Sequence, residues 1–458
     1  MPDRWSLRDH VSLSLYVLKW VLLGGILGLI VGSACALFLW LLEEVTEIRW
    51  AHPALLFGLP VAGLCIGLLY HLWGRSVEAG NNLIMDEIHE PGGGVPARMA
   101  PFVLLGTIVT HLFGGSAGRE GTAIQMGGSI ASVLGRAYRR LAPHDIRTLL
   151  MAGVAAGFGG VFGTPLTGAV FALEVLAIGR LSYEALVPCL IASVVSDWAC
   201  QAWGIHHTEY HVASLRALQT AQIANLDWLL VAKVAVAALA FGLTSMLFAE
   251  ATHGLSRVWK RLIARPYLRP IAGGLCVIGL TYALGTRDYL GLGISSPDPQ
   301  AVTIVSCFAA GGAHAWSWLA KLIFTAVTLS SGFKGGEVTP LFFVGAALGN
   351  TLAGLLGAPV DLFAALGFVA VFSGATNTPL ACTLMGVELF GPQHVVYVAV
   401  ACFLAYLMSG HRGIYTAQRL GTPKLARLAP GAAIAAAKTM SPAEHAPRKR
   451  KKPGRGRN

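Results

Sequence analysis

An all-α polytopic membrane protein is the fold class this sequence predicts, on three observations. Only 12% of the 458 residues are charged, about half of the ~25% that a soluble domain carries. Glycine is nearly twice as common as its usual ~7%, with 55 copies. Apolar runs of spanning length recur along the chain, many of them interrupted by glycine or proline. Such a composition excludes a soluble globular domain, a disordered chain and a secreted disulfide scaffold. Closely packed membrane helices use glycine in this way, and so does backbone that breaks helix inside a membrane.

The elements follow in order. The polar start MPDRWSLRDH reads as a cytoplasmic N-terminus over residues 1–16. The apolar run after it exceeds a signal-peptide core, so it reads as an uncleaved first span. A span needs about 20 apolar residues, which Val17–Leu42, Pro53–Leu72 and Trp228–Glu250 supply. Pro270–Leu284, Trp316–Ser331, Ala364–Phe372 leading on to Thr378–Phe390, and Val395–Met408 are further candidates. Ala100–Phe113, Ala123–Leu134, Leu149–Phe162, Thr167–Ile178 and Leu341–Leu356 are shorter or broken. Broken helices are tolerated in a membrane where their ends line a buried site. The eight cysteines form no CxxC pair and no metal spacing, so they read as small packing residues.

An internal repeat divides the chain. Gly118-Arg119-Glu120-Gly121-Thr122 is followed by Thr164-Pro165-Leu166 and Glu174; Gly335-Gly336-Glu337-Val338-Thr339 is followed by Thr378-Pro379-Leu380 and Glu388. Each TPL triplet begins ten residues before its acid, and the second pair stands 214 residues after the first. Two halves at a near-constant offset mark a repeat transporter, with the site where the halves meet. Residues 17–225 form the first half and 226–418 the second. The net charge of +11 gathers in a tail over 419–458, where Ala446–Asn458 carries seven basic residues and no acid. That tail reads as cytoplasmic and disordered, facing membrane lipid. No folded module accompanies it, so nucleic acid is not expected as a partner.

The chemistry concentrates in the two glycine-rich segments. Glycines let backbone approach a ligand, and the free N–H groups at a helix start attract an anion. In Gly118-Arg119-Glu120-Gly121, a carboxylate at the helix start can occupy the anion site and leave it when protonated. The bland alternative is a buried acid paired with Arg119. In Gly336-Glu337-Val338-Thr339-Pro340, Glu337 is a second intramembrane acid. Thr339 offers a hydroxyl to an anion, or merely caps its helix. Asn81, after Gly80, and Tyr415, after Gly413 and Ile414, bring an amide and a phenol. A tyrosine there alone would suit an interfacial belt. The polar run Asp86–Glu90 lacks HExxH and reads as a helix end.

These residues resemble the CLC family of chloride channels and proton-coupled anion antiporters, over roughly Val17 to Tyr415. The GREG sequence at 118–121 matches the family's gating motif and makes Glu120 the gating glutamate. The resemblance implies an all-helical homodimer, each subunit with its own pore between two inverted halves of tilted, broken helices. The departures are informative. Ordinary members have GSGIP where Gly80-Asn81-Asn82 stands here, and GxFxP where Gly336–Pro340 stands. Their antiporters carry a relay glutamate at the position of Val175. Asn81, Glu337, Thr339 and the missing relay acid resemble the fluoride-exporting branch, which also sets phenylalanines near the ion; Tyr415 matches the wider family's pathway tyrosine. Only 43 residues follow Tyr415, too few for the paired regulatory domains of some relatives.

The resemblance thus implies a fluoride/proton antiporter, not an enzyme, in a bacterial inner membrane, multi-pass with both termini cytoplasmic. Glu120 and Glu337 would carry gating and proton coupling. Asn81, Thr339 and Tyr415 would bind the anion, helped by backbone at Gly118, Arg119, Gly121, Gly336 and Val338. No cofactor and no metal are expected. The rivals are a chloride/proton antiporter or passive chloride channel on the same fold, and a non-transporting scaffold. An intramembrane enzyme is the remote rival, since HExxH, GxSxG and the P-loop are absent.

Overall fold

Two families of short helices meet head to head at the centre of the molecule, and longer helices enclose them. The computed structural model describes residues 7–138, 141–213 and 226–424; most of the basic tail lies outside the described residues. The first half runs α1 (Leu7–Ala51), α2 (Leu59–Trp73), α3 (Asn81–His89), α4 (Met99–Leu112), α5 (Glu120–Ala137), α6 (Pro143–Phe162), α7 (Pro165–Glu174) and α8 (Leu186–Ala202). The second runs α9 (Trp228–Leu262), α10 (Arg269–Leu284), α11 (Ser317–Ser331), α12 (Val338–Leu356), α13 (Val360–Thr376), α14 (Pro379–Phe390) and α15 (Val395–Met408). Among the described residues, seven helical stretches are long and apolar enough to cross a membrane. The 45 residues of α1 reach about 68 Å at 1.5 Å per residue, well beyond a ~30 Å hydrocarbon core.

Local sequence explains the starts. Proline opens α6, α7 and α14 within their first two positions, where its missing N–H costs nothing. Asp227 caps α9, accepting from the N–H groups of Leu229 and Leu230 at 2.9 and 3.1 Å. The short helices cross tightly because glycine faces glycine. A Cβ on Gly127 in α5 would stand 2.0 Å from the Gly153 carbonyl of α6. The second half repeats this between Gly345 in α12 and Gly367 in α13, also at 2.0 Å. Close approach of small residues is what packs helices where no water drives them together.

Directions follow from side-chain contacts. Lys19 in α1 pairs with Asp145 at the start of α6 at 2.5 Å, while Trp203 just after α8 donates to Ser33 at 2.9 Å. So α1, α6 and α8 run together from a near end, where α1 begins, to a far end. From the centre, α5 runs back to the near end against α6, and α12 runs to the far end.

Two boundaries differ from those expected. The helix begins at Leu7, so residues 7–16 are an extension of the first span, with Asp9 in its first turn. The segment after 418 does not start as a disordered tail. Arg419–Leu420 (β2) pairs in parallel with Ala177–Ile178 (β1), and Lys424 donates to the carbonyls of Tyr406 and Gly410 and to Ser409 Oγ, closing the end of α15. Of the cysteines, all free, Cys65 and Cys276 are exposed on the outside of the bundle and the other six are buried.

Candidate functional site

The two glycine-rich segments touch at one point. Gly118 and Gly336 form an isolated antiparallel bridge, N–H to carbonyl in both directions at 2.6 and 2.7 Å. From that seam α5 and α12 leave in opposite directions. This corrects one expectation: the Gly118 and Gly336 N–H groups are spent on each other and are not free for an anion. Their glycine identity follows from the approach, since a Cβ on Gly336 would stand 2.7 Å from the Gly121 nitrogen. Gly121 and Val338 lie in the first turns beyond the seam, where N–H groups have no partner within their helix.

Glu120 is fully buried. Its carboxylate reaches across to the other half. One oxygen accepts from the Thr339 N–H at 3.0 Å and the Arg119 N–H at 3.1 Å; the other accepts from the Thr339 hydroxyl. The Arg119 guanidinium Nε lies 3.7 Å away. A carboxylate therefore sits on the start of α12, in the place an anion would take. Thr339 is the second residue of α12, and both of its donors go to Glu120, so it does not cap its own helix. The Glu337 carbonyl, just before α12, accepts from the Leu341 N–H at 3.1 Å, whereas its carboxylate receives no hydrogen bond from another residue among the described residues.

Tyr415 is buried, and its hydroxyl has no partner. Both Glu120 and Glu337 lie within its electrostatic reach. Asn81 opens α3 from the near side, with Oδ1 buried and unpaired; its amide nitrogen stands 3.1 Å from where a Cβ on Gly121 would be. Asn81 and Tyr415 share a small pocket of about 20 Å³ with Val175 and Phe171, room for one water-sized particle. Unpaired buried polar atoms are costly, so these two point to a ligand. The structure thus brings Glu120, Thr339, Arg119 and Gly121 together at the seam, with Asn81 and Tyr415 on its near side.

Aromatic residues complete the far side, and sequence reasoning did not place them. Phe162, Phe342, Phe368 and Tyr210 line the cavity that holds Glu120 and Thr339. Phe342 stacks on Phe368 at 3.8 Å between centroids, and Phe162 lies 5.3 Å from Phe342. These rings come from α6, α12, α13 and the loop after α8, far apart in sequence. No local spacing signals their meeting.

Each half also holds the other's short helix. Glu174, at the end of α7, accepts from the N–H groups of Leu380 and Ala381 at the start of α14, at 3.1 and 2.8 Å. Glu388, in α14, accepts from the Leu166 and Thr167 N–H groups at the start of α7, at 2.9 and 2.8 Å, and from the Thr167 hydroxyl at 2.6 Å.

A head-to-head pair of helix starts between inverted halves, with a carboxylate held on one of them, defines a membrane ion-pathway protein. The chain belongs to the voltage gated chloride channel family, whose model matches residues 62–410. A protein of Pseudomonas syringae pv. tomato named chloride/fluoride channel protein is 52% identical over 422 residues, covering 91% of this chain and 90% of that one. The crystal structure of a CLC-type fluoride/proton antiporter superposes with a TM-score of 0.81 at 35% identity, over 91% of this chain and all of that one. A slow cyanobacterial Cl−/H+ antiporter shares the fold with a TM-score of 0.73 at 17% identity, over 87% and 96% of the two chains. The protein is a membrane transporter or channel by family, and not an enzyme.

Proposed function

We propose that the protein is a secondary active fluoride/proton antiporter that expels cytoplasmic fluoride using the inward proton gradient. The observation that carries this reading is the Glu120 carboxylate on the start of α12, held by both donors of Thr339. Carboxylate and anion compete for the same donors. Protonation weakens the claim of Glu120 on them, so the anion and the charged carboxylate exchange places on one set of donors and anion movement is tied to proton binding at Glu120. Fluoride is small and strongly hydrated, and stripping its water needs compact, strong donors. The Thr339 hydroxyl, the unpaired Tyr415 hydroxyl, the Asn81 amide and the free N–H groups of Gly121 and Val338 supply them. Phe162, Phe342 and Phe368 keep water away and offer positive ring edges. Glu337 takes part in proton coupling, in place of the relay acid that Val175 replaces.

The protein acts as a homodimer in the lipid of a bacterial inner membrane, both termini cytoplasmic, so the near end is cytoplasmic and the far end external. Nucleic acid is not a partner. The name of the Pseudomonas relative keeps chloride in view as the second reading. Liposomes loaded with fluoride or chloride decide between them. Fluoride efflux with proton uptake, and at least tenfold slower chloride efflux, is expected; equal movement of the two anions refutes the fluoride assignment. In Glu120→Gln, proton movement is expected to vanish, and fully coupled exchange in that variant refutes its role.

A further inference from the structure

A second cavity, of about 730 Å³, opens at the far end over the gate. Phe162, Thr208, Tyr210 and Leu389 line both this cavity and the small one that holds Glu120. These four residues are therefore the septum between Glu120 and the outside. Leu389 and Phe162 belong to α14 and α6, while Thr208 and Tyr210 come from the loop after α8.

That loop is tied down on both sides of Tyr210. His207 packs so closely on Gly163 that a Cβ there would stand 2.4 Å from its ring, and its Nε2 lies 3.5 Å from Asp197. On the other side the Ala213 N–H donates to Asp361 at 2.8 Å. Between these anchors the Tyr210 ring inserts among Phe368, Phe308 and Phe390, at 5.2, 5.5 and 6.3 Å. A single aromatic side chain on an anchored loop can swing by a rotamer change without refolding its surroundings.

The cavity beyond is chemically suited to both ions. His206, His207, His211 and His394 line it, with Glu209 and Glu388. Imidazoles and carboxylates can hold protons in transit. Glu388 is already engaged at the start of α7, Glu209 lies 3.9 Å from His211, and Arg119 stands on the inner side of the septum.

We propose that Tyr210 is the outer barrier of the transport pathway, and that the histidine-lined cavity above it is the chamber from which Glu120 receives its proton and into which the anion leaves. The proposal rests on the antiporter reading for its ions, but not for its geometry. With Tyr210 in place Glu120 is sealed from outside. When the ring moves, the gate opens to the chamber.

Two measurements test it. In liposomes, Tyr210→Ala is expected to raise fluoride efflux and lower the proton-to-fluoride ratio at least twofold, while Tyr210→Phe keeps the ratio because the ring is retained. A Tyr210→Ala variant whose two fluxes are unchanged, or fall together at constant ratio, overturns the proposal. The second measurement needs no transport. In Glu120→Cys, with Cys65 and Cys276 replaced by serine, a membrane-impermeant thiol reagent added outside is expected to react at least tenfold faster once Tyr210→Ala is added. Equal labelling rates overturn the barrier. If the wild-type protein moves no fluoride, the antiporter reading fails by itself and the labelling still judges Tyr210.

Discussion

The repeat produces two pairs of acids, and they meet opposite fates. Glu174 and Glu388 behave alike: each closes the start of the other half's short helix with both carboxylate oxygens. Glu120 and Glu337 do not. Glu120 crosses to the start of α12, whereas Glu337 makes no matching bond to the start of α5. The glycine crossings side with the first pair, since α5 on α6 and α12 on α13 bring backbone equally close. The pseudo-symmetry is kept where it holds the scaffold and broken where an ion passes. A gate equal from both sides would hold its ion without direction; one carboxylate on one helix start gives exchange a place to happen.

The largest expected effect breaks that comparison at the gate. Glu120→Gln keeps the shape of the side chain but loses the charge that competes with the anion, so proton movement should fall below detection. Glu337→Gln should lower the proton-to-fluoride ratio yet leave a measurable proton flux. Paired recordings with fluoride and pH electrodes check both; identical behaviour of the two variants would mean that the asymmetry has no functional weight. Next comes Thr339→Val, which removes the hydroxyl donor and keeps the backbone one. A hydrogen bond to a charged group is worth about 1.5–3 kcal/mol, so fluoride turnover should drop roughly tenfold or more, while the anion selectivity loosens.

The scaffold half of the comparison is sharpened by Gly153→Ala and Gly367→Ala. Each new methyl meets a carbonyl of the facing helix, at 2.5 Å from Gly127 and 2.0 Å from Gly345. Overpacking of this kind costs about 1–3 kcal/mol. The two variants should lose similar stability in detergent thermal melts, Gly367→Ala slightly more. A large loss in one and none in the other would show that the halves are not equivalent supports.

Much of this was legible in the sequence because it is carried by local spacing. Apolar runs gave the spans, the TPL triplets with Glu174 and Glu388 gave the repeat, and glycines before Glu120 and Glu337 gave the helix starts. What sequence could not give is who answers whom. The ten-residue interval in each half says nothing of Glu388 reaching Thr167, over 200 residues away. Gly118 and Gly336 looked like anion donors because glycine at a helix start so often is one; only the seam shows their N–H groups occupied. Tyr210 sits in a polar loop among histidines and carries no periodic signal at all. Its meaning comes from the three phenylalanines that surround it.

The smallest expected effect isolates the one difference within the symmetric pair. Glu388 takes three hydrogen bonds and Glu174 takes two, because Thr167 brings a hydroxyl where its counterpart, Ala381, brings a methyl. Thr167→Ala therefore turns the first clasp into a copy of the second. Thr167 is fully buried, and losing its hydroxyl bond to Glu388 should cost about 1 kcal/mol. Because the clasp closes a helix start away from Thr339 and Glu120, the proton-to-fluoride ratio should not move. Thermal melts and coupled flux on the same preparation separate the two outcomes. A changed ratio with unchanged stability would make Glu388 a group that exchanges protons in the chamber it lines, and end its equivalence with Glu174.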